Sequence, residues 1–452
     1  VLEGELFSPS IVYNKMSETV LPSSVDFSKK LPSLPEGVSS QLLSIQATNG
    51  TGPFGPGQVI QFDLPARQNL YLDGKTMFIR YKITYTSGAA AGVVRRKPVY
   101  TAFQKLDEFV GSTPINSVYN YHAVANMWVD TNMSVADIYG QQYAFGLQST
   151  ATPTLDAFDS YTLPTVSADN SIFVSAPVVC SAISSADHLI PTGFMAPLRV
   201  QFTVASIADQ AVASANITAI TISNPELCIQ SIDMPGVDNI IASSVPKLYL
   251  KCGAWANATG SIAATTSGFQ TLIFNHRYES IENLFLINAT TDVAKGLNGP
   301  LESFDLTGTA GGTYQFQIGQ SMYPNLPINT IIGGGKASTL QYLRECVGSI
   351  VDQRNTMSIN SVEFSRLASA ATASTAVEPA KFYVGVPLSK IQTANPYQAV
   401  TLLSGVSATS APISVLVNIG TSTNSQMNVQ LVAQYTELLE IDPMTKQVRV
   451  IQ

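Results

Sequence analysis

The chain has 452 residues, 45% hydrophobic and only 12% charged, with a formal net charge of −7. It can therefore bury more than one core, and much of its surface must be neutral or covered by partners. Its densest basic clusters, Arg95-Arg96-Lys97 and Lys29-Lys30, read as solvated loop charges rather than as the cationic arm that phosphate neutralisation demands.

In chain order, residues 1–45 suit an extended N-terminal arm. Pro9, Pro22, Pro32 and Pro35 break regular structure there, while Leu21, Leu31, Leu34, Leu42 and Leu43 offer apolar anchors. Strands with polar–apolar alternation are expected at Gln58–Leu64, Met77–Tyr85, Leu198–Val204, Tyr314–Ile318 and Met427–Val432. Two segments carry helical spacing, Tyr121–Tyr139 and Ser338–Ile350. Between the strands lie loops rich in Ser, Thr, Ala, Gly and Pro, of which Gly140–Val166 and Ala289–Gly312 are candidate projecting loops. No run of 18 apolar residues suggests a membrane-spanning helix. Cys180, Cys228, Cys252 and Cys346 lie far apart and read as buried free thiols. The start at Val1 rather than Met implies a removed initiator or short leader.

The sequence also repeats itself. Ile172–Pro177 resembles Phe382–Pro387, Ala196–Val200 resembles Ala411–Val415, and Glu226–Asp233 resembles Glu437–Asp442, at offsets of 210 to 215 residues. Aromatic strands precede both helices, at Val118–Tyr121 and Met322–Pro324. A repeat this long implies two tandem β domains rather than a solenoid, with a boundary near Pro235–Pro246.

Several stretches carry a family resemblance: Asn69–Ile83, Gln270–Ile281, Gly319–Ile328 and Leu438–Pro443. They are similar to the double jelly-roll major capsid proteins of the adenovirus, tailless-phage, virophage and polinton-like virus lineage, most like the virophage and polinton-like branch. The resemblance implies an all-β fold of two tandem eight-stranded antiparallel jelly rolls, each with a short helix in a long loop. The expected division is an arm over 1–45, a first jelly roll over 46–235, a second over 236–442 and a C-terminal extension over 443–452. The implied function is structural. Homotrimers form pseudo-hexameric capsomers that tile the shell of a tailless icosahedral double-stranded DNA virus. They meet neighbouring capsomers, penton and minor capsid or cement proteins, with no sequence-specific nucleic acid and room for an inner membrane beneath. The chain would then reside in the virion capsid, assembled inside the host cell. The alternative is a secreted or cell-surface tandem β-sandwich adhesin or carbohydrate-binding protein.

Chemical motifs are missing. His122, His188 and His276 show no metal-ligand spacing. Gly50–Gly55 matches GxGxxG, but Pro53 and Pro56 forbid the helix that motif opens. Gly333–Ser338 resembles a phosphate-binding loop, yet Ala337 stands where Ser or Thr must hold magnesium. Sequons at Asn49, Asn132, Asn216, Asn257 and Asn288 match what chance yields in an Asn- and Thr-rich chain. No catalytic, cofactor-binding or metal residue is nominated, no cofactor is expected, and the chain reads as a non-enzyme.

Overall fold

The computed structural model describes residues 36–88, 92–95, 97–146, 160–162, 169–211, 216–264, 266–290, 303–307, 312–330, 335–347, 357–365, 380–390, 403–420 and 426–451. In the first half the strands are β1 Ser39–Gln46, β2 Val59–Asp63, β3 Leu70–Ser87, β4 Val93–Arg95, β5 Phe103–Val110, β6 Thr113–Tyr119, β7 Ser160–Thr162, β8 Asp169–Pro177, β9 Ile190–Pro191, β10 Leu198–Val204 and β11 Ile217–Asp233. The second half holds β12 Leu248–Ile262, β13 Gly268–Phe274, β14 Ile281–Thr290, β15 Thr313–Ile318, β16 Ser321–Asn329, β17 Val384–Pro387, β18 Ile413–Ile419, β19 Met427–Ile441 and β20 Val448–Ile451. The helices are α1 Pro98–Thr101, α2 Tyr121–Asn132, α3 Val135–Gly140, α4 Gln142–Phe145, α5 Ile207–Gln210, α6 Val237–Ser244, α7 Gly335–Cys346 and α8 Ser361–Ser365.

Alternation decides the layers. On β10 the residues Leu198, Val200, Phe202 and Val204 are buried while Arg199, Gln201 and Thr203 between them are half-buried, so one face packs inward and the other is left for solvent or a neighbour. The first half pairs its strands as β1-β11-β3-β8 and β2-β10-β5-β6; the second repeats the order as β12-β19-β14-β17 and β13-β18-β15-β16. All these ladders are antiparallel. Two four-stranded sheets in this interleaved order are a jelly roll, and the chain makes it twice. Aromatic contacts tie the paired sheets together, with the Tyr81 and Phe103 ring centroids 5.1 Å apart in the first half and those of Tyr314 and Phe382 6.0 Å apart in the second. The short strand β9 adds to β3, β20 adds to β19, and β4 pairs β7 within the loops.

Because successive strands of a jelly roll reverse direction, the loops after β1, β3, β6 and β10 share one end of the first barrel, and their counterparts share the same end of the second. Among the described residues, every α-helix except α6 sits in those loops. The linker α6 lies at the other end, where β11 finishes and β12 begins. There, Asp238 accepts the Asn69 backbone N–H and the Tyr71 hydroxyl, both at 2.6 Å.

The repeated phrases fall on equivalent elements. Ile172–Pro177 lies in β8 and Phe382–Pro387 runs into β17; the Ala-Pro phrases enter β10 and β18; the acidic-start phrases close β11 and β19. Helix content departs from expectation. The single helix expected over Tyr121–Tyr139 is broken at Met133, whose backbone is extended. Ser134 and Asp137 then form a capping box that opens α3. Several further short helices occupy loops where apolar periodicity is too brief to read.

The termini also differ from the expected bounds. Ser39–Gln46 pairs with β11 in register from Ser39↔Asp233 to Gln46↔Glu226, so the expected arm over 1–45 is already sheet from Ser39. Val448–Ile451 pairs with β19, so the expected 443–452 extension ends in the second barrel's sheet. Most of the two candidate projecting loops lies outside the described residues, as do residues 1–35.

Candidate functional site

The most elaborate polar chemistry among the described residues lies where the two barrels meet. β12 is an edge strand, and an uncovered edge presents a row of backbone donors and acceptors. Here the first barrel covers it. Asp187 N–H donates to the Lys251 carbonyl at 3.0 Å, and Lys251 N–H donates to Asp187 Oδ1 at 3.1 Å. Two residues on, Gly253 N–H donates to Ser185 Oγ at 2.8 Å, and that hydroxyl donates to the Gly253 carbonyl at 2.7 Å. Two further on, Trp255 N–H donates to Asn116 Oδ1 at 3.1 Å. The spacing of two follows from the strand's period, which turns every second N–H to the same edge.

Asn116, on β6, is held from behind. Its amide donates to Glu108 Oε2 at 2.9 Å and to the Cys180 carbonyl at 3.0 Å. Glu108, on β5, is fully buried. Burial pushes its carboxyl above the ordinary range, opposed by donors from Ser181 Oγ, the Ala182 N–H and Asn116. The first barrel thus presents one fixed amide oxygen to the second.

A second junction lies among the loops. Asp130, on α2, is fully buried, with Lys97 Nζ 2.6 Å from Oδ1 and the Tyr383 hydroxyl 3.0 Å from Oδ2. Lys381 Nζ stands 4.0 Å from Asp130 and 3.3 Å from Glu363. Ser358 donates its N–H to the Asp130 carbonyl at 3.1 Å. Charges taken out of water in this way need each other and their hydrogen bonds to be tolerated. Nearby, Gly385 lets α7 close on β17: a Cβ there would come within 3.0 Å of Cys346 Sγ and Leu343 Cδ1.

The described residues of the motif-like stretches make loop hydrogen bonds and ion pairs. Gly50–Gly55 is the loop between β1 and β2, where Phe54 exchanges backbone hydrogen bonds with Ile222. Lys336, in the phosphate-loop-like stretch, reaches Asp305 at 3.0 Å and the Ser365 carbonyl at 2.9 Å. His122 and His276 are buried, His188 is exposed beside Asp187, and the four cysteines are free. Among the described residues no cluster of His, Cys, Asp and Glu is arranged to hold a metal ion.

Solved structures match this architecture along most of its length. The PBCV-1 VP54 protein, fitted into a reconstruction of the virophage Sputnik, aligns over 94% of this chain and 99% of its own, with a TM-score of 0.57 and 11% identity. The double jelly roll is shared. The Faustovirus major capsid protein covers 92% of each chain at a TM-score of 0.62 and 8% identity. The mavirus major capsid protein covers 100% of this chain and 96% of its own at 0.52 and 8%. No protein-family model matches the sequence, and no curated protein matches it by sequence.

The seam residues have no sequence signature. Asn116 and Trp255, or Asp130 and Tyr383, belong to different halves of the chain, so no local spacing could announce them.

Proposed function

We propose that the chain is the major capsid protein of a tailless icosahedral double-stranded DNA virus, a structural block without catalytic, cofactor or metal residues. The likeness to capsid proteins of PBCV-1, Faustovirus and mavirus supports this reading. The observation that carries it is the seam. β6 of the first barrel packs against β12 of the second, and their repeat counterparts, β16 and β1, are left at the two ends of the barrel pair. Both counterparts carry exposed apolar residues, Leu326 at 79% and Leu42 at 59%.

A contact between unlike surfaces that repeats by rotation closes into a ring. With two barrels per chain, three chains supply six similar walls, a three-fold object with six-fold outline suited to tiling facets. On this reading the first barrel ends at 235 and the second begins at 236, just before α6. Neighbouring capsomers, penton and minor capsid proteins are the partners of such a ring, and its place is the virion shell.

Light scattering behind size-exclusion chromatography tests the reading. A mass of three chains that persists on dilution is expected. A persistent monomer overturns it and favours a tandem adhesin.

A further inference from the structure

The corner between β1 and β2 ties together the two sheets of the first barrel, because β1 belongs to one and β2 is an edge strand of the other. The main chain contributes the Thr48 N–H, which donates to the Gln61 carbonyl at 2.7 Å. A side chain extends the ladder. Asn49 Nδ2 donates to the Val59 carbonyl at 2.6 Å, and Asn49 Oδ1 accepts the Gln61 N–H at 3.2 Å. A carboxamide carries a donor and an acceptor side by side, as a peptide group does, so Asn49 serves as one more rung between the sheets.

The next residue is fixed by the turn. Gly50 has a φ of +115°, a conformation that residues with a side chain rarely adopt. The corner thereby calls for Asn followed by Gly, a pair prone to lose the side-chain amide. With no side chain on residue 50, its nitrogen can approach Asn49 Cγ unhindered. Both residues are exposed to the water that the reaction consumes.

We propose that Asn49–Gly50 is a spontaneous deamidation site that the pin to β2 holds shut in the native barrel. In the reaction the Gly50 nitrogen gives up its proton and attacks Asn49 Cγ. The Cγ–Nδ2 bond breaks, ammonia departs and a cyclic imide remains. Water then opens the ring to aspartate, or to isoaspartate when the main chain is left running through Cγ. The fold opposes the first step twice. The carboxamide is tied to β2 through both its nitrogen and its oxygen, and the Gly50 N–H donates to the Ala47 carbonyl at 3.3 Å. Neither product restores the corner. Ionised aspartate only accepts hydrogen bonds, so it sets an oxygen against the Val59 carbonyl. Isoaspartate adds a carbon to the main chain and puts the rung out of register with Val59 and Gln61. The site is therefore an ageing switch, shut while β1 and β2 are docked and irreversible once it has reacted.

Peptide mapping of the full-length protein by mass spectrometry follows conversion at Asn49 separately from the other Asn-Gly pair, Asn298–Gly299. In mildly alkaline buffer Asn49 should convert at least tenfold more slowly in the native protein than in concentrated urea; a smaller difference overturns the proposal. Gln61→Pro deletes the N–H that holds Asn49 Oδ1, on an edge strand where that N–H faces Asn49 rather than β10 and proline is tolerated. Its native rate should exceed that of Gln61→Ala, which keeps the N–H, at least threefold, and a smaller excess means that the pin is not what protects the site. If Gln61→Pro does not fold, Asn49→Asp replaces it. Hydrogen exchange at the Thr48 amide should then run at least tenfold faster than in wild type, and a lesser change shows that the corner does not depend on the carboxamide and overturns the proposal.

Discussion

Tyr383 donates its hydroxyl to Asp130 Oδ2 at 3.0 Å across 253 residues of sequence. The bond joins the approach to β17 in the second barrel to α2 in the first, and Lys97 holds the other carboxylate oxygen. Tyr383→Phe removes one hydrogen bond to a charged group, a cost of about 1.5–3 kcal/mol. Asp130→Ala takes from the buried Lys97 ammonium the carboxylate it is ion-paired with, at roughly 3–5 kcal/mol. Urea titrations should show both losses as lower midpoints, with Asp130→Ala the larger; equal midpoints would contradict the pairing.

Asn116 is the next most sensitive position. Asn116→Ala takes one donor from buried Glu108 and the acceptor from the Trp255 N–H. These groups and the Cys180 carbonyl, which also loses the Asn116 amide, should together cost about 2–6 kcal/mol. Ser185→Ala should cost less, because its partner Gly253 lies at an exposed part of the seam. Thermal unfolding of the two variants side by side checks the order.

The pH dependence of stability should carry a His276 component. Burial holds its imidazole below the ordinary 6.5, against an opposing hydrogen bond with the Leu431 carbonyl. The unfolded chain therefore binds this proton more readily, so the contribution is complete above pH 6.5 and is lost as pH falls through the lowered value. His276→Gln should flatten that part of the curve. Denaturation midpoints of variant and wild type between pH 7.5 and 5 give the difference, and parallel curves would contradict the assignment.

Arg199→Ala sets a contrast. Its pair with Asp63 is partly exposed, with side chains 42% and 35% accessible. The loss should stay within about 1 kcal/mol and shrink further in high salt. A larger, salt-independent loss would mean that this sheet face is covered rather than wet.

Much of the fold was legible locally. The period-two alternation at Leu198–Val204 and Met77–Tyr85 reports which face of a strand is buried, and each strand lies where that pattern places it. The repeat phrases at a nearly constant offset reported two like β domains, while the jelly-roll form came from the family resemblance. Loop helices such as α5 and α8 were not legible, because a few residues held by tertiary contacts carry no period.

What the sequence by itself determined is five alternating strands with their inward faces, the duplication and the scarcity of charge. Those follow from side-chain chemistry repeating over a few residues. Only the tertiary structure decided which edge β12 offers to Asn116, Ser185 and Asp187, and how Lys97, Lys381 and Tyr383 converge on Asp130. These depend on residues far apart in the chain becoming neighbours.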